Sequence, residues 1–370
     1  MVSAVIERIR DWRNRRIADP AFRRWAARFP LTRPIARRQA RSLFDLTAGF
    51  VYSQVLAACV QVDLFELLAA GPRGIDGIAE RIDLPREGAE RLLKAAAALD
   101  LVESRGADRH ALGPLGAALV GNPGVTAMIR HHGILYGDLA DPLALLAGRA
   151  DTELKRYWTY AGKASPSPAA PPRHADYSAL MAASQAFVTA EILDAYPLRR
   201  HVRLLDVGGG DGAFLLAAAK AGPHLKLDLF DLPPVAALAR RRIMEAGLGA
   251  RAKAHGGSFL ADPLPQGADL VTLNRVLHDH DDPSALAILT AIRRAIAPGG
   301  TLLVAEPMAG TPGAEASGDA YFGFYLLAMG QGRPRTIGEI GGLLAASGFP
   351  RSREIATGTP LIARIVAASA

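Results

Sequence analysis

Apolar residues follow two different patterns along the 370 residues, and the change falls near residue 196. Before it, apolar-rich stretches have the length and spacing of helices. After it, short apolar runs of strand length alternate with helical stretches, which predicts a parallel sheet covered on both faces. We therefore expect an α/β chain with a mainly helical domain over 42–195 and a parallel-sheet domain over 196–370.

The N-terminal pattern predicts a compact helical motif. The run from Ser53 to Ala70 is long and apolar-rich, and two shorter helices are expected over Ile75–Ile82 and Glu87–Leu99. Two short strands, Leu101–Ser104 and Arg109–Leu112, should pair across a polar turn. Two helices followed by a hairpin are the outline of a winged helix.

Prolines then interrupt the chain within residues 163–173, which predicts a loop because proline excludes helix and central strand. A helix is expected from about Tyr177 to Ala195, and the strand–helix alternation follows it. Its strands are predicted at Arg203–Val207, Lys226–Phe230, Leu270–Leu273 and Thr301–Ala305, with helices at Gly212–Lys220, Pro234–Ala246 and Pro283–Ile296.

The net charge of +7 is concentrated at the N-terminus. Residues 1–41 hold twelve arginines and three acidic residues, so the remainder of the chain is slightly acidic. Phe22, Trp25 and Phe29 recur at helical spacing between arginines, which indicates an amphipathic basic arm. Such an arm suits an anionic membrane surface; arginines that merely keep a docked helix soluble, or that bind nucleic acid, are the alternatives.

The remaining composition excludes several classes of protein. Cys59 is the single cysteine, so neither an internal disulfide nor a multi-cysteine metal site is expected, and a reducing compartment fits. The sequence has no run of 18 apolar residues and no secretory signal pattern. A cytoplasmic protein, with its arm at most peripheral on the inner membrane, is the expectation.

A glycine turn closes the first predicted strand of the sheet domain. Asp206 precedes Gly208 and Gly210 within LLDVGGGDG, and Asp231 ends the next strand. Glycines allow close approach of a ligand to the backbone, and Asp231 can accept hydrogen bonds from ribose hydroxyls. A carboxylate at Asp206 suits an amino group better than a pyrophosphate, which favours S-adenosylmethionine; a nicotinamide cofactor or a simple packing turn are the alternatives.

A histidine follows the strand Leu270–Leu273, at the sheet edge where ligands bind in open α/β sheets. His278 can take a proton near neutral pH, and Glu306, at the end of another strand, can support its ring. Asp281 or Asp282 is expected to cap the helix that has Pro283 in its first turn, which accounts for these two acids without chemistry. A metal cluster in His278–Asp281 would have poor geometry, and a structural histidine is the remaining alternative.

The C-terminal half resembles the S-adenosylmethionine-dependent O-methyltransferases of the caffeate and acetylserotonin type. The matching segments lie in the family's order between Arg203 and Phe349: LLDVGGGDGAFL, DLFDLPPV, GGSFLADPLPQGADLVTLNRVLHDHDD, APGGTLLVAEP and RPRTIGEIGGLLAASGF. The resemblance implies a Rossmann-like methyltransferase domain. The N-terminal region is similar to that family's winged-helix-like dimerisation domain, which implies a homodimer.

The resemblance also implies residue roles. His278 is the general base, Glu306 its supporting carboxylate, and Asp279 lies beside the base. Ser258, Asn274 and Pro334 depart from residues that are frequent in the family. Because Pro334 replaces a second supporting glutamate, the resemblance leaves the base to rest on Glu306 alone, or proximity to carry more of the catalysis. The implied cofactor-binding residues are Asp206, Gly208, Gly210, Asp231, Leu232, Ser258, Phe259 and Asn274.

Further segments are similar to a narrower group, the carotenoid 1-hydroxyl methyltransferases of purple photosynthetic bacteria. These segments are RSLFDLTAGFVYSQVLAACV, AALVGNPGVTAMIRHHGILYGDLADPLALL, YSALMAASQAFVTAEILDAYP and MGQGRPRT. This resemblance implies a tertiary hydroxyl of an acyclic, demethylspheroidene-type carotenoid as acceptor. An apolar pocket for it is predicted to include Tyr177, Met181, Phe187, Phe322, Phe324 and Met329.

Two other functions remain open at this point. An O- or C-methyltransferase could act on a bacteriochlorophyll precursor or a phenol. A DNA-binding winged-helix regulator would need a basic recognition helix, but Glu87–Leu99 balances Arg91 and Lys94 with Glu87 and Glu90. No nucleic-acid partner is therefore expected.

Overall fold

The computed structural model describes residues 2–106, 108–156 and 185–370. It divides into two compact units, Met1–Val120 and Gly121–Ala370. This division differs from the domain boundary expected at residue 195, because the helices from residue 121 onward group with the sheet. The proline-dense stretch 163–173 and the first part of the helix predicted from Tyr177 lie outside the described residues.

The first unit is built from helices and one small sheet. Asp63 has a left-handed backbone with φ of 49°, which ends one helix and starts the next. The prediction of a single helix over Ser53–Ala70 is therefore wrong. A longer helix begins at Arg33, and a short helix follows the break at Asp63. The helices are α1 Val2–Ala18, α2 Pro20–Arg28, α3 Arg33–Gln61, α4 Leu64–Ala69, α5 Ile75–Arg81, α6 Arg86–Ala98 and α7 Pro114–Ala117.

The predicted hairpin is present in this unit. Strands β2 (Val102–Ser104) and β3 (Arg109–Leu112) pair antiparallel, and β1 (Arg73–Gly74) pairs with the other edge of β3. Buried apolar side chains from α3 to α6 fill the space between the helices, as amphipathic helices require. These elements have the order of a winged helix, as the sequence predicts.

Helix α3 has a large exposed apolar surface in the chain as described. Leu43, Phe44, Leu46 and Phe50 are all more than 60% exposed. Among the described residues, α3 is the one helix long and apolar enough to cross a membrane, by length and composition alone, and 17% of its most apolar 18-residue window is buried. The apolar runs in the sequence predict no such span, because charged and polar residues interrupt them.

The second unit contains a seven-stranded sheet with the order β6-β5-β4-β7-β8-β10-β9. Strands β4 to β8 run parallel, whereas β10 pairs antiparallel with both β8 and β9. The pattern in the sequence predicts four of these strands but not β6, β9 or β10. Their bounds are β4 Arg203–Val207, β5 Lys226–Asp231, β6 Ala252–Gly256, β7 Ala268–Asn274, β8 Ile296–Glu306, β9 Arg351–Ile355 and β10 Arg364–Ser369.

Helices cover both faces of this sheet. Alternate residues of β4 point to opposite sides: Leu205 and Val207 join one buried apolar cluster, and Leu204 joins the other. A helical stretch over 185–195 contributes to the second cluster. The helices of this unit are α8 Pro123–Asp138, α9 Pro142–Leu146, α10 Ala213–Ala221, α11 Pro233–Glu245, α12 Asp282–Ala295, α13 Gly323–Met329 and α14 Ile337–Ala346.

Candidate active site

The parallel strands end at one edge of the sheet and bring the predicted polar residues together there. Asp206 lies near the end of β4, Asp231 ends β5, Asn274 ends β7 and Glu306 ends β8. His278 follows β7 in a short 3₁₀ turn, Leu277–Asp279. Ligands of open α/β sheets bind at this edge, so the geometry favours a site here.

The glycine turn after β4 leaves room for a ligand. Gly208 and Gly210 have φ of 68° and 61°, a left-handed backbone that glycine adopts without strain. A Cβ at Gly208 would lie 2.6 Å from Val276, whereas a Cβ at Gly210 would meet nothing within 4 Å. Gly208 therefore serves close packing, and the open space lies over Gly210.

Asp231 fixes this turn through its side chain. Its carboxylate accepts hydrogen bonds from the backbone N–H groups of Gly210, at 2.8 Å, and Leu232, at 2.7 Å. Burial raises the pKa of Asp231, and the two N–H donors oppose the rise. The carboxylate thus stands beside the open space over Gly210, where it fits the ribose hydroxyls of the expected cofactor.

Asp206 is buried, with 1% of its surface exposed. Its Oδ1 accepts hydrogen bonds from Thr272 Oγ1, at 2.7 Å, and Asn274 Nδ2, at 3.2 Å. Its Oδ2 has no hydrogen-bond partner among the described residues. Burial, with a smaller contribution from the charge of Asp231, raises the pKa of Asp206 to about 7. An unpartnered buried carboxylate oxygen fits a cationic amino group, as the expected cofactor carries.

Ser258 and Phe259 lie in the loop after β6. The backbone N–H of Ser258 donates to Asp262 at 2.8 Å, which fixes the loop. The ring of Phe259 packs edge-on against His280, with 5.4 Å between ring centroids. A contact of Ser258 and Phe259 with the adenine of the cofactor remains a prediction.

His278 is held between two carboxylates, and the structure assigns these differently from the sequence. The imidazole Nε2 lies 3.2 Å from Asp279 Oδ1, and Nδ1 has no hydrogen-bond partner among the described residues. Glu306 Oε2 accepts a hydrogen bond from the backbone N–H of His278, at 3.1 Å. Glu306 was expected to orient the ring; in this structure it holds the main chain, because the adjacent Asp279 occupies the ring nitrogen.

The charges around His278 favour a proton on its imidazole, as a general base requires. Burial by itself disfavours the charged imidazolium, but the carboxylates of Asp279 and Glu306 outweigh it, so the pKa of His278 is raised above its ordinary value. Burial also raises the pKa of Glu306. With Nε2 directed at Asp279, Nδ1 is the ring nitrogen that can accept a proton.

An aromatic side chain lies beside the imidazole. Phe322, at the end of a π-helical segment Ala316–Phe322, has its ring centroid 6.1 Å from that of His278. Tyr321 contacts Phe322 edge-on and shares a 2.8 Å hydrogen bond between its hydroxyl and His132 Nε2. Aromatic rings therefore line one side of the His278 imidazole.

The six residues predicted to line an acceptor pocket are distributed unevenly. Phe322 is near the base. Phe324 packs against a buried cluster that includes Met329, and Phe187 is half-buried. Tyr177 and Met181 lie outside the described residues. The lining role of all six remains a prediction.

Several residues of the site carry no clear signal in the sequence. Thr272 binds Asp206 from the middle of a strand, where threonine is ordinary. Arg335 is fully buried and bonds to the loop that carries His278. Asp281 caps α12 by accepting from Ser284 N–H, as predicted, but Asp282 is an ion-pair partner of Arg335.

Comparison with family models matches both parts of the chain. Residues 136–350 match an O-methyltransferase domain, and residues 44–122 match an O-methyltransferase dimerisation domain.

Curated relatives extend over nearly the whole chain. The demethylspheroidene O-methyltransferase of Cereibacter sphaeroides is 43% identical over 350 residues, which cover 94% of this chain and 91% of the relative. The enzyme of that name from Rhodobacter capsulatus is 41% identical over 92% of this chain and 85% of its own length. Acetylserotonin O-methyltransferase of Mus musculus is 30% identical over 85% of each.

Solved structures share the fold. Human N-acetylserotonin methyltransferase in complex with SAM matches with a TM-score of 0.70 and 26% identity, over 90% of this chain and 97% of that chain. The mitomycin 7-O-methyltransferase MmcR matches with a TM-score of 0.73 and 26% identity, over 91% and 100%. With a family model spanning more than half of its residues and relatives matching nearly all of them, the chain belongs to the O-methyltransferase family.

Proposed function

We propose that this protein transfers a methyl group from S-adenosylmethionine to the tertiary 1-hydroxyl of an acyclic carotenoid of the demethylspheroidene type. The observation that carries the chemistry is His278 at the sheet edge beside the glycine turn, where Asp279 pairs with its imidazole and Glu306 holds its backbone N–H. The names of the two relatives above 40% identity support the choice of acceptor.

The cofactor, when bound, supplies a methyl group already activated by a positive sulfur. The chain's own residues then bind and align: Asp231 holds ribose hydroxyls, and Asp206 Oδ2 accepts from an amino group. Alignment of an acceptor oxygen with an electrophile provides several kcal/mol of barrier lowering.

His278 removes the hydroxyl proton as the new O–C bond forms. A tertiary alcohol is a much weaker acid than imidazolium, so complete deprotonation before transfer is unfavourable. The proton passes to Nδ1, while Asp279 keeps the proton on Nε2 and stabilises the resulting imidazolium. Burial of the ring excludes water that would compete for this proton.

Product analysis tests the acceptor. Incubation with demethylspheroidene and S-adenosylmethionine should give a carotenoid heavier by one CH₂ unit, identified by mass spectrometry. A phenol and a hydroxylated bacteriochlorophyll precursor serve as competing acceptors in parallel reactions. Methylation of either of these, with the carotenoid untouched, would exclude the proposed substrate.

We further propose that α1 and α2 bind an anionic membrane surface, where a carotenoid acceptor dissolves. Trp12, Trp25 and Phe29 are exposed, and the ring of Trp25 stacks on that of Phe29 at 5.0 Å between centroids. Arginines lie between these aromatic side chains along the same helices. Anionic headgroups attract such cations at roughly 1 kcal/mol each near the surface.

Flotation with vesicles tests this attachment. The full chain should float with vesicles that contain phosphatidylglycerol and not with neutral phosphatidylcholine vesicles. Replacing Arg23, Arg24 and Arg28 with Gln should reduce flotation, whereas the same change at the exposed Arg241, Arg351 and Arg353 serves as the charge-matched control. Equal flotation of both variants would contradict the role of the arm.

The homodimer is also a proposal, supported by the match to a dimerisation domain over 44–122. The exposed apolar residues of α3 are the surface that we assign to the second copy. Burying such side chains against each other removes apolar area from water, which is the main driving force of association.

A further inference from the structure

The turn that carries His278 needs support on its main-chain side. Leu277–Asp279 form a single 3₁₀ turn between β7 and α12, so their carbonyl groups have few partners within a regular element. A buried carbonyl without a donor is unfavourable. The donors that this turn receives therefore determine where the imidazole stands.

One guanidinium group supplies donors on both sides of the histidine. Arg335 Nη1 donates to the carbonyl of Leu277, and Nη2 donates to the carbonyl of His280, each at 2.7 Å. Nε donates to Asp282 Oδ1 at 2.9 Å. All three nitrogens of Arg335 thus bind the loop 277–282, and the residue is 0% exposed.

The backbone around Arg335 is fitted to the same loop. Gly332 has φ of 81°, and a Cβ there would lie 2.2 Å from the carbonyl oxygen of His278. That oxygen accepts a hydrogen bond from the backbone N–H of residue 333, at 2.9 Å. The carbonyl of Arg335 in turn accepts from Ala309 N–H, at 3.0 Å, so the segment 332–336 links this loop to the residues after β8.

We propose that Arg335 is a positioning residue for methyl transfer: its guanidinium sets the place of the His278 imidazole by holding the carbonyls of Leu277 and His280. This inference rests on the proposed function, since it takes His278 to be the base. The hydrogen bonds of Arg335 go to the carbonyls of Leu277 and His280 and to Asp282, so it acts through the backbone of the loop.

The planar guanidinium is needed because its donors point in several fixed directions. A lysine ammonium is one compact charge at the end of a flexible stem, and it cannot reach two carbonyls and a carboxylate with the same geometry. Lysine at position 335 keeps the positive charge next to Asp282 but loses the guanidinium donors that bind the two carbonyls. A misplacement of about 1 Å in a catalytic group lowers the rate by about 10²-fold.

The experiment compares two buried or half-buried arginines by the same substitution. Arg251 donates to the carbonyls of Ala219, Gly222 and Leu225, remote from the site, and so has the same structural chemistry. Purified full-length Arg335→Lys and Arg251→Lys are assayed for kcat, for KM of the acceptor, for cofactor Kd by calorimetry, and for thermal midpoint.

Arg335→Lys should lower kcat about 10²-fold, with cofactor Kd within about twofold of the wild type. Arg251→Lys should lower the thermal midpoint and leave kcat per cofactor-binding site unchanged. If Arg335→Lys lowers only the thermal midpoint, as its control does, the residue is merely structural and the proposal is wrong.

A double variant identifies the route of the effect. Because Arg335 acts through the imidazole, Arg335→Lys should reduce turnover far less in a His278→Ala background than in the wild type. Equal reductions in both backgrounds would overturn the proposal. If His278→Ala alone leaves turnover unchanged, the base assignment in the proposed function fails; if only Arg335→Lys leaves it unchanged, the positioning role alone fails.

If Arg335→Lys is insoluble, Asp282→Asn tests the same guanidinium by changing its exposed partner. Asp282 accepts from Arg335 Nε and Nη2 and keeps the guanidinium oriented. This variant should lower kcat with cofactor Kd retained. Unchanged kcat would show that the orientation of the Arg335 guanidinium does not affect the rate.

Discussion

At the scale of single residues, two acidic groups and one base decide when the site is active. Asp206 lies below the glycine turn with one oxygen unpartnered, and Asp279 is the carboxylate on the ring of His278. Burial raises the pKa of Asp206, whereas at His278 the effect of burial is outweighed by the neighbouring carboxylates, which raise the pKa of its imidazole.

Replacement of His278 with Ala removes the proton acceptor and should lower kcat by about 10²–10⁴-fold. Cofactor Kd, measured by calorimetry, should stay near the wild-type value because the carboxylates of Asp206 and Asp231 remain. His224→Ala, an exposed histidine whose ring contacts the carbonyl of His201, is the control and should keep full activity. Normal turnover of the His278 variant would remove the imidazole from the mechanism.

Cofactor affinity should depend on the protonation of Asp206. The pKa of this carboxyl is raised to about 7, so it is ionised above that pH and neutral below it. A cationic amino group binds the ionised form, so affinity should rise with pH up to about 7 and then level off. Calorimetry in buffers of different ionisation enthalpy would detect proton release on binding below pH 7.

Asp206→Asn should weaken binding and remove this pH dependence, since the amide does not titrate. Asp319→Asn, an exposed carboxyl that accepts from Gly310 N–H, is the control and should keep both affinity and its pH profile. A wild-type profile in the Asp206 variant would show that another group titrates.

The pH profile of kcat should report His278. Its pKa is raised above the ordinary 6.5, so activity should rise with pH through a midpoint above that value, as the imidazole loses its proton. Asp279→Asn removes the neighbouring charge that raises this pKa, so the midpoint should move to lower pH. Asp281→Asn, two residues away at a helix cap, should leave the midpoint in place. A midpoint that moves in the Asp281 variant and stays in place in the Asp279 variant would contradict the pairing of Asp279 with Nε2.

At the scale of elements, the helix α3 has a surface that its own unit does not cover. Its apolar side chains on this surface are Leu43, Phe44, Leu46, Phe50 and Val51. Contiguous exposed apolar surface of this kind marks an interaction site. The dimerisation-domain match includes most of the helix.

Phe50→Glu should therefore convert a dimer to a monomer in light scattering at matched concentration. Helical content should remain, because Phe50 is 70% exposed within the chain. Gln39→Glu introduces the same charge on an exposed position of α3 and should leave the dimer intact. A Phe50 variant that stays dimeric but no longer floats with vesicles would assign this surface to lipid.

The sequence patterns predict which helices and strands are present better than they predict where each one begins and ends. The strand Arg203–Val207 was predicted correctly because a glycine turn closes its apolar run, and the hairpin was predicted correctly from two short runs on either side of a polar turn. The long helix was not, because Asp63 adopts a left-handed backbone that nothing in its neighbours requires. Strand β9 was missed because four of its five residues are exposed and polar or charged, and its pairing with β10 depends on contacts distant in sequence.

At the scale of the site, the positions of Asp206, Asp231, His278 and Glu306 at one sheet edge could be predicted from parallel topology. Their partners could not. Which carboxylate meets the ring of His278 depends on rotamers in a 3₁₀ turn, and the donors of Arg335 reach residues more than 50 positions away. Pairing across such separations leaves no periodic signal.

At the scale of the whole molecule, the order of the strands in space departs from their order in the chain. Strand β10 inserts between β8 and β9, and it pairs with β8 from Glu306 to Thr301. One flank of the strand that ends in Glu306 therefore consists of residues 364–369.

This insertion has a consequence for synthesis on the ribosome. Until residues 364–369 have emerged from the exit tunnel, β8 exposes an unpaired edge, and the carboxylate that holds His278 stands on an incomplete sheet. Nascent chains arrested before this point should be open to protease attack and to pairing with other nascent strands. The sheet that carries Glu306 is thus completed only after every residue of the site has already been made.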